Sequence, residues 1–140
     1  MQNKKIIYAS MCGDLFHRGH LEFIKKAKSF GDFLIIGLHP DDVATKYKRK
    51  PVISFEDRKK IIESIKEVDL VVEDCMDFRK PTMFDNLKKY KINIAVHAGG
   101  VMPLYKEAKK KNLCKIREIE YYPYISTTSL IKKIRRNIKK

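Results

Sequence analysis

Apolar residues along this chain fall into short runs and helical stripes that take turns. Ile6-Ile7-Tyr8-Ala9 is a brief run with β-branched residues, the pattern of a strand. From Leu21 to Phe30 the residues Phe23, Ala27 and Phe30 share one helical face, with Leu21 and Ile24 beside it, and Gly31 stops the helix. Phe33-Leu34-Ile35-Ile36-Gly37-Leu38 does not alternate, which predicts a strand buried on both faces. Pro40 to Pro51 is polar and Lys-rich and reads as a loop. Ser54 and Asp57 have the spacing of a capping box, and the helix they open carries Ile61, Ile62, Ile65 and Val68. Leu70-Val71-Val72 is the next strand. Phe84, Leu87 and Tyr90 mark a short helix, Ile92 to His97 a strand, Leu104, Tyr105 and Ala108 a helix, and Ile116 to Tyr122 a last strand. Leu130, Ile134 and Ile138, with Ile131 beside them, form the stripe of a final amphipathic helix. Its opposite face carries Lys132, Lys133, Arg135, Arg136, Lys139 and Lys140, and the pattern predicts docking of the stripe on the sheet with the charges outward.

Strands that alternate with helices imply parallel pairing and right-handed crossovers. The expected fold is therefore α/β, a Rossmann-like three-layer α/β/α sandwich with a five-stranded parallel sheet. In such sheets ligands lie beyond the carboxyl ends of the strands, at the point where the strand order reverses. The segments to inspect are thus Ser10 to Gly19, His39 to Pro51, Glu73 to Pro81, His97 to Pro103 and Tyr122 to Thr128.

Length and composition narrow the class. The chain has 140 residues, of which 44% are hydrophobic, enough for one self-standing domain, 1–140, and too many for wholesale disorder. The longest apolar stretch, Phe33 to Leu38, is far short of a membrane span, and the first residues lack a secretory pattern, so the expected location is cytoplasmic. Lys and Arg number 31 against 17 Asp and Glu, a net charge of +14. That excess has two explanations: anionic partners, or a composition rich in Lys, Asn and Ile. The basic tail has no interleaved aromatics, so a specific nucleic-acid partner is not expected. Cys12, Cys75 and Cys114 are odd in number and widely spaced, which predicts free thiols and no bound metal.

Candidate chemistry concentrates at two helix starts. Asp14-Leu15-Phe16-His17-Arg18-Gly19-His20 puts two histidines around a glycine where the first helix begins. A helix N-terminus offers unpaired N–H groups and a positive dipole end, and Gly19 would let a phosphate approach. The histidines could also merely cap or pack, and a Cys12–His17–His20 metal set is a further alternative. At Ile125-Ser126-Thr127-Thr128-Ser129 four consecutive hydroxyls exceed what one cap requires, which suggests a second phosphate-binding helix start. The basic run from Lys46 to Lys50 would close over a polyphosphate, and Arg58 would add a planar donor fork.

These motifs, in this order, resemble those of the HxGH nucleotidyltransferase superfamily in the form found in cytidylyltransferases. The DLFHRGH stretch resembles the HxGH signature, and Ile125-Ser126-Thr127-Thr128 resembles a second signature ending in ISTT. Between them KRKPVISFEDR, residues 48–58, resembles the family's Lys loop and ExR helix, and Asp69-Leu70-Val71-Val72 resembles its VDxVV strand. The likeness extends from Ile6 to Ile134 and lies nearest the glycerol-3-phosphate, phosphocholine and phosphoethanolamine cytidylyltransferases. It implies the reaction of CTP with a small phosphorylated alcohol to give a CDP-alcohol and pyrophosphate, with Mg²⁺ held mainly by the nucleotide. By motif, His17, His20 and Lys48 would be catalytic. The nucleotide would lie against Met11, Cys12, Gly13, Asp14, Gly19, Lys46, Arg58, His97, Ala98, Gly99, Ser126, Thr127 and Thr128. Relatives are commonly homodimers, so a homodimer is expected.

The sequence also departs from the family pattern. Met11-Cys12-Gly13 stands where the family has Gly-Thr-Phe or Gly-Cys-Phe, Ala98-Gly99-Gly100 where it has Gly-Asp-Asp, and Tyr121-Tyr122-Pro123-Tyr124 where it has Arg-Thr-x-Gly. Two other readings therefore stand beside the first: an adenylyltransferase of the same superfamily, and a non-catalytic module that binds nucleotides or anionic surfaces.

Overall fold

The computed structural model describes residues 3–77, 79–99 and 103–139; Phe78, Gly100 and Lys140, which the readings above touch, lie outside them. Five strands form one sheet: β1 (Ile6–Met11), β2 (Phe33–Leu38), β3 (Leu70–Glu73), β4 (Ile94–Ala98) and β5 (Lys115–Ile119). Their order is β3-β2-β1-β4-β5, and every pairing is parallel. Six helices are α1 (Arg18–Lys28), α2 (Asp41–Tyr47), α3 (Phe55–Glu63), α4 (Met83–Lys89), α5 (Pro103–Lys110) and α6 (Thr127–Ile138). The architecture is the expected α/β sandwich.

The sheet is buried on both faces because its central strands do not alternate. Ile7 and Ala9 of β1 and Ile36 and Leu38 of β2 pack with Ile24 and Ala27 of α1 and Ile62 of α3. Tyr8 and Ile35 turn the other way, onto Met83 and Leu87 of α4 and Tyr105 and Ala108 of α5. Fully burying an aliphatic side chain such as Ile24 or Ile62 contributes roughly 2 kcal/mol, which is what holds each helix to its face. β1 pairs with β2 from Ile6 opposite Phe33 to Met11 opposite Leu38. β1 also pairs with β4, so the chain reverses its direction of travel across the sheet at that seam. The loops after β1 and β4 therefore flank the switch point.

Three expectations change. The segment from Pro40 to Pro51 is not all loop: α2 occupies its first half, because Val43 and Ala44 are buried and Asp41 and Asp42 sit in the first turn, where the dipole favours them. β5 ends at Ile119 rather than running on to Tyr122. Docking of the last helix on the sheet is also not what the structure has. α6 buries none of its residues, and Ile134 and Ile138 are 48% and 77% exposed. Its first turn is tied to the carboxyl edge of the sheet, and the rest stands off the faces covered by α1, α3, α4 and α5.

Candidate functional site

The site is built outward from the end of β1. Gly13 has φ +69, and a Cβ there would lie 2.8 Å from Ile62 Cδ1, so glycine alone turns the chain there without strain. The turn delivers His17 to the N-cap of α1. His17 Nδ1 accepts the Gly19 N–H at 2.9 Å, and His20 Nδ1 accepts the His17 N–H at 3.1 Å. Capping, one of the alternatives posed by the sequence, uses Nδ1 of each ring. Each Nδ1 caps the helix as an acceptor, which fixes each neutral ring as the Nε2–H tautomer and leaves Nε2 as a donor. The two rings lie 3.9 Å apart between centroids. Burial holds both imidazoles below the usual histidine range, and for His20 burial, then the neighbouring His17, takes the value to about 4. Gly19 has a nearer reason than room for a phosphate: a Cβ there would lie 2.7 Å from His17 Cε1 and 3.2 Å from the Ile125 carbonyl.

The second helix start closes on the first. Thr127 Oγ1 donates to the Asp14 carbonyl at 3.0 Å and stands 3.4 Å from His17 Nε2. Ser126 caps α6 by accepting the Ser129 N–H at 3.0 Å, and Ser129 Oγ accepts the Ser126 N–H at 3.0 Å. Thr128 Oγ1 accepts from Arg49 Nη1 at 3.3 Å, so the basic segment reaches the same place. Lys48, the C-cap residue of α2, is close enough for its charge to disfavour protonation of His20 and to favour the Cys12 thiolate. Lys46 lies two residues earlier, exposed in the last turn of α2.

Asp14 joins these parts rather than waiting for a ligand. Its carboxylate is buried and accepts the Val52 and Ile53 N–H groups, both at 2.9 Å, and the Leu15 N–H at 3.1 Å. One residue thereby fixes the loop after α2, the histidine turn and, through its carbonyl, α6. Arg58 likewise does not project a fork into the site. It is 1% exposed, and donates to the Cys12, His39 and Ile53 carbonyls at 2.6, 2.9 and 2.9 Å and to Asp41 Oδ1 at 2.6 Å. Its role is to hold the ends of β1 and β2 against α2 and α3. Met11 also turns away: its side chain is in the core, and its carbonyl accepts the His39 N–H at 3.0 Å. Cys12 is half-buried, with its thiol pushed up by burial.

Across the switch point, β4 ends in His97 and Ala98, and Gly99 donates its N–H to the Ile119 carbonyl at 3.0 Å. His97 is buried, packs against the Tyr105 ring at 4.8 Å, and its Nδ1 has no hydrogen-bond partner among the described residues. Two residues with a part in the site escaped the sequence reading: Asp41 on Arg58, and His39, whose backbone serves both Arg58 and Met11. Arg49, part of the basic run read from the sequence, is the member of it that meets Thr128. The three cysteines are free. Among the described residues no group of three or more His, Cys, Asp or Glu side chains could hold a metal ion.

The chemistry on offer is anion binding. Two neutral Nε2–H donors, the first-turn amides of two helices and the cations Lys48 and Arg49 converge at one edge of a parallel sheet. Comparison with known proteins agrees with that. The sequence model of a family described as cytidylyltransferase-like matches residues 12–133. The chain is 34% identical over 136 residues to the bifunctional protein HldE of Helicobacter pylori, covering 95% of this chain and 28% of that protein. It is 30% identical over 131 residues to the ethanolamine-phosphate cytidylyltransferase of Mus musculus, covering 89% of this chain and 31% of that one. It thus spans about three-tenths of the length of these curated relatives. A crystal structure of a lipopolysaccharide core biosynthesis protein from Thermoplasma volcanium superposes with a TM-score of 0.72 at 19% identity, over 88% of this chain and all of that one, a likeness of fold. The match over residues 12–133 takes in both helix starts and everything between them, and the chain belongs to the cytidylyltransferase-like family of nucleotidyltransferases, an enzyme type.

Proposed function

We propose that this enzyme transfers a cytidylyl group from CTP to the phosphate of a small phosphorylated alcohol and releases pyrophosphate. Phosphoethanolamine, phosphocholine and glycerol 3-phosphate are the first acceptors to test. The observation that carries the reading is the histidine pair. Each ring has its Nδ1 occupied by a backbone amide, so each Nε2–H is a pre-set donor that needs no reorganisation.

The steps follow from those groups. An acceptor phosphate oxygen is already a nucleophile, so the reaction requires alignment and charge stabilisation rather than a general base. The oxygen attacks the α-phosphorus of CTP in line, the bond to the bridging oxygen breaks, and pyrophosphate leaves with that electron pair. His17 and His20 donate to the phosphate oxygens on which charge accumulates. A neutral donor suits this task, since its proton need not move. Lys48 and Lys46 hold the phosphates of the two substrates together, and the amides at the start of α6 receive the leaving end. The loop after α2, held by Asp14, covers the site and excludes water as a competing nucleophile. The Asp14 carboxylate is filled by three amides and no cluster of metal-ligating side chains occurs among the described residues, so Mg²⁺ would be carried by the nucleotide phosphates themselves. A homodimer in the cytoplasm belongs to the same proposal, and sedimentation of the purified chain tests the dimer.

The test is pyrophosphate release with CTP or ATP against each acceptor in the presence of Mg²⁺. CTP-dependent release with one acceptor is the expected result. Release with ATP alone makes the enzyme an adenylyltransferase. Nucleotide binding without release under every pairing removes the catalytic reading in favour of a binding module.

A further inference from the structure

The groups assigned above all serve phosphates, and the base at the other end of a nucleotide needs a surface of its own. Tyr121 offers one. Gly99, the residue after β4, has φ +59, and a Cβ there would lie 2.1 Å from Tyr121 Cε2 and 2.2 Å from Cδ2. The Tyr121 ring thus rests on bare backbone beside the switch point, in the volume that any side chain at Gly99 would need. Two departures from the family pattern, Gly99 in place of Asp and Tyr121 in place of Arg, therefore meet in space, and a carboxylate at 99 could not coexist with this ring. Tyr121 is nonetheless 70% exposed, so most of the ring is open to a ligand.

Its neighbours set it next to the phosphate groups. Arg18, the residue after His17 and the first of α1, stands over the Tyr122 ring at 5.4 Å, which ties the tyrosine segment to the histidine turn. The same segment is held at its far end by Thr127 on the Asp14 carbonyl. Arg18, Tyr121 and Tyr122 line a groove of about 750 Å³ between α1 and β5, which leaves room for a planar ring beside Tyr121. Chemistry selects the occupant. Phosphate belongs with the amides and cations of the helix starts. A quaternary ammonium calls for several ring faces around one cation. Tyr122, however, already faces Arg18 and meets Tyr124 edge-on at 5.3 Å, and the guanidinium repels a second cation. A nucleobase needs one open aromatic surface and tolerates a nearby guanidinium, which itself stacks on flat rings. We propose, on the nucleotidyl-transfer reading above, that Tyr121 is the platform on which the base of the nucleotide stacks. It is a binding residue that positions the nucleoside while the histidines hold the phosphates.

The experiment is calorimetric titration of the full chain with CTP, with ATP and with inorganic tripolyphosphate, which has the phosphates and no base. Tyr121→Ala should weaken nucleotide binding about tenfold and leave tripolyphosphate binding within about twofold of the parent, while Tyr121→Phe keeps the parent's affinity for both. The chain contains no Trp, so Tyr121→Trp gives a single reporter. A nucleotide should quench its emission, and tripolyphosphate should not. In turnover, Tyr121→Ala should raise KM for the nucleotide and leave KM for the acceptor unchanged. Nucleotide binding that Tyr121→Ala does not weaken, or weakens only in step with tripolyphosphate, overturns the platform and leaves the transfer reaction standing. Quenching of the reporter by phosphocholine alone also overturns it, because the ring then belongs to the acceptor. A parent chain that binds neither nucleotide removes the platform together with the reaction.

Discussion

On the proposed reading His17 has two jobs on two atoms, and substitution can separate them. Nδ1 caps α1, and Nε2–H is the donor assigned to the reaction. Asparagine places an oxygen near the position of Nδ1 and has nothing at Nε2. Glutamine places an amide N–H near Nε2 and gives up the cap. Alanine loses both. Loss of an N-cap acceptor costs about 1 kcal/mol, or roughly 4 °C in Tm for a domain of this size. Loss of one pre-set transition-state donor costs about 3–4 kcal/mol, a 10²–10³-fold fall in kcat. The two properties should therefore rank the variants differently. In thermal melts His17→Asn should stay within about 2 °C of the parent, with His17→Gln and His17→Ala lower. In initial rates of pyrophosphate release His17→Gln should retain the most activity, with His17→Asn as low as His17→Ala. The assays are scanning calorimetry and a coupled phosphate assay on the same preparations. A near-normal rate for His17→Asn would refute the donor assignment, and rates that merely follow the melts in rank would reduce His17 to a cap.

Three further outcomes are expected. Asp14→Asn leaves one oxygen to serve three amides, so stability should fall by about 2 kcal/mol, and KM for the nucleotide should rise more than kcat falls because the loop after α2 is no longer held; unchanged KM would contradict the linking role. The folded-state pKa of His20, about 4, lies below its ordinary value, so the unfolded chain takes up the proton first. Stability should therefore be fully present above pH 6.5 and fall between about pH 6.5 and 4, and melts of His20→Gln should show a shallower decline over that window. Gly13→Ala should lower Tm by several degrees, because φ +69 and the 2.8 Å approach to Ile62 both oppose a Cβ; an unchanged melt would show that the turn tolerates it.

Continuous apolar runs made the strands legible: Phe33 to Leu38 could be little else. The Ser54–Asp57 cap was equally plain, and the Ser54 side chain accepts the Asp57 N–H. α2 was not legible, because Val43 and Ala44 are its only buried residues and the burial that selects them comes from the rest of the fold. The two helix starts were visible as local motifs, and so was the family they mark. The function of Asp14 and Arg58 was not. Asp14 gathers amides from two loops, and Arg58 gathers acceptors from four separate positions, Cys12, His39, Asp41 and Ile53. Such roles depend on which backbone atoms converge in space, and no spacing along the chain encodes that.

The bond from Thr127 to the Asp14 carbonyl spans 113 positions. During synthesis β1 and the histidine turn emerge well before Thr127. The sheet's two apolar layers are complete without α6, which buries nothing. A nascent or clipped chain that stops after β5 can therefore reach a native-like core while lacking a competent centre. The proposed centre therefore assembles only after the segment that follows β5 has been made and has closed on the histidine turn.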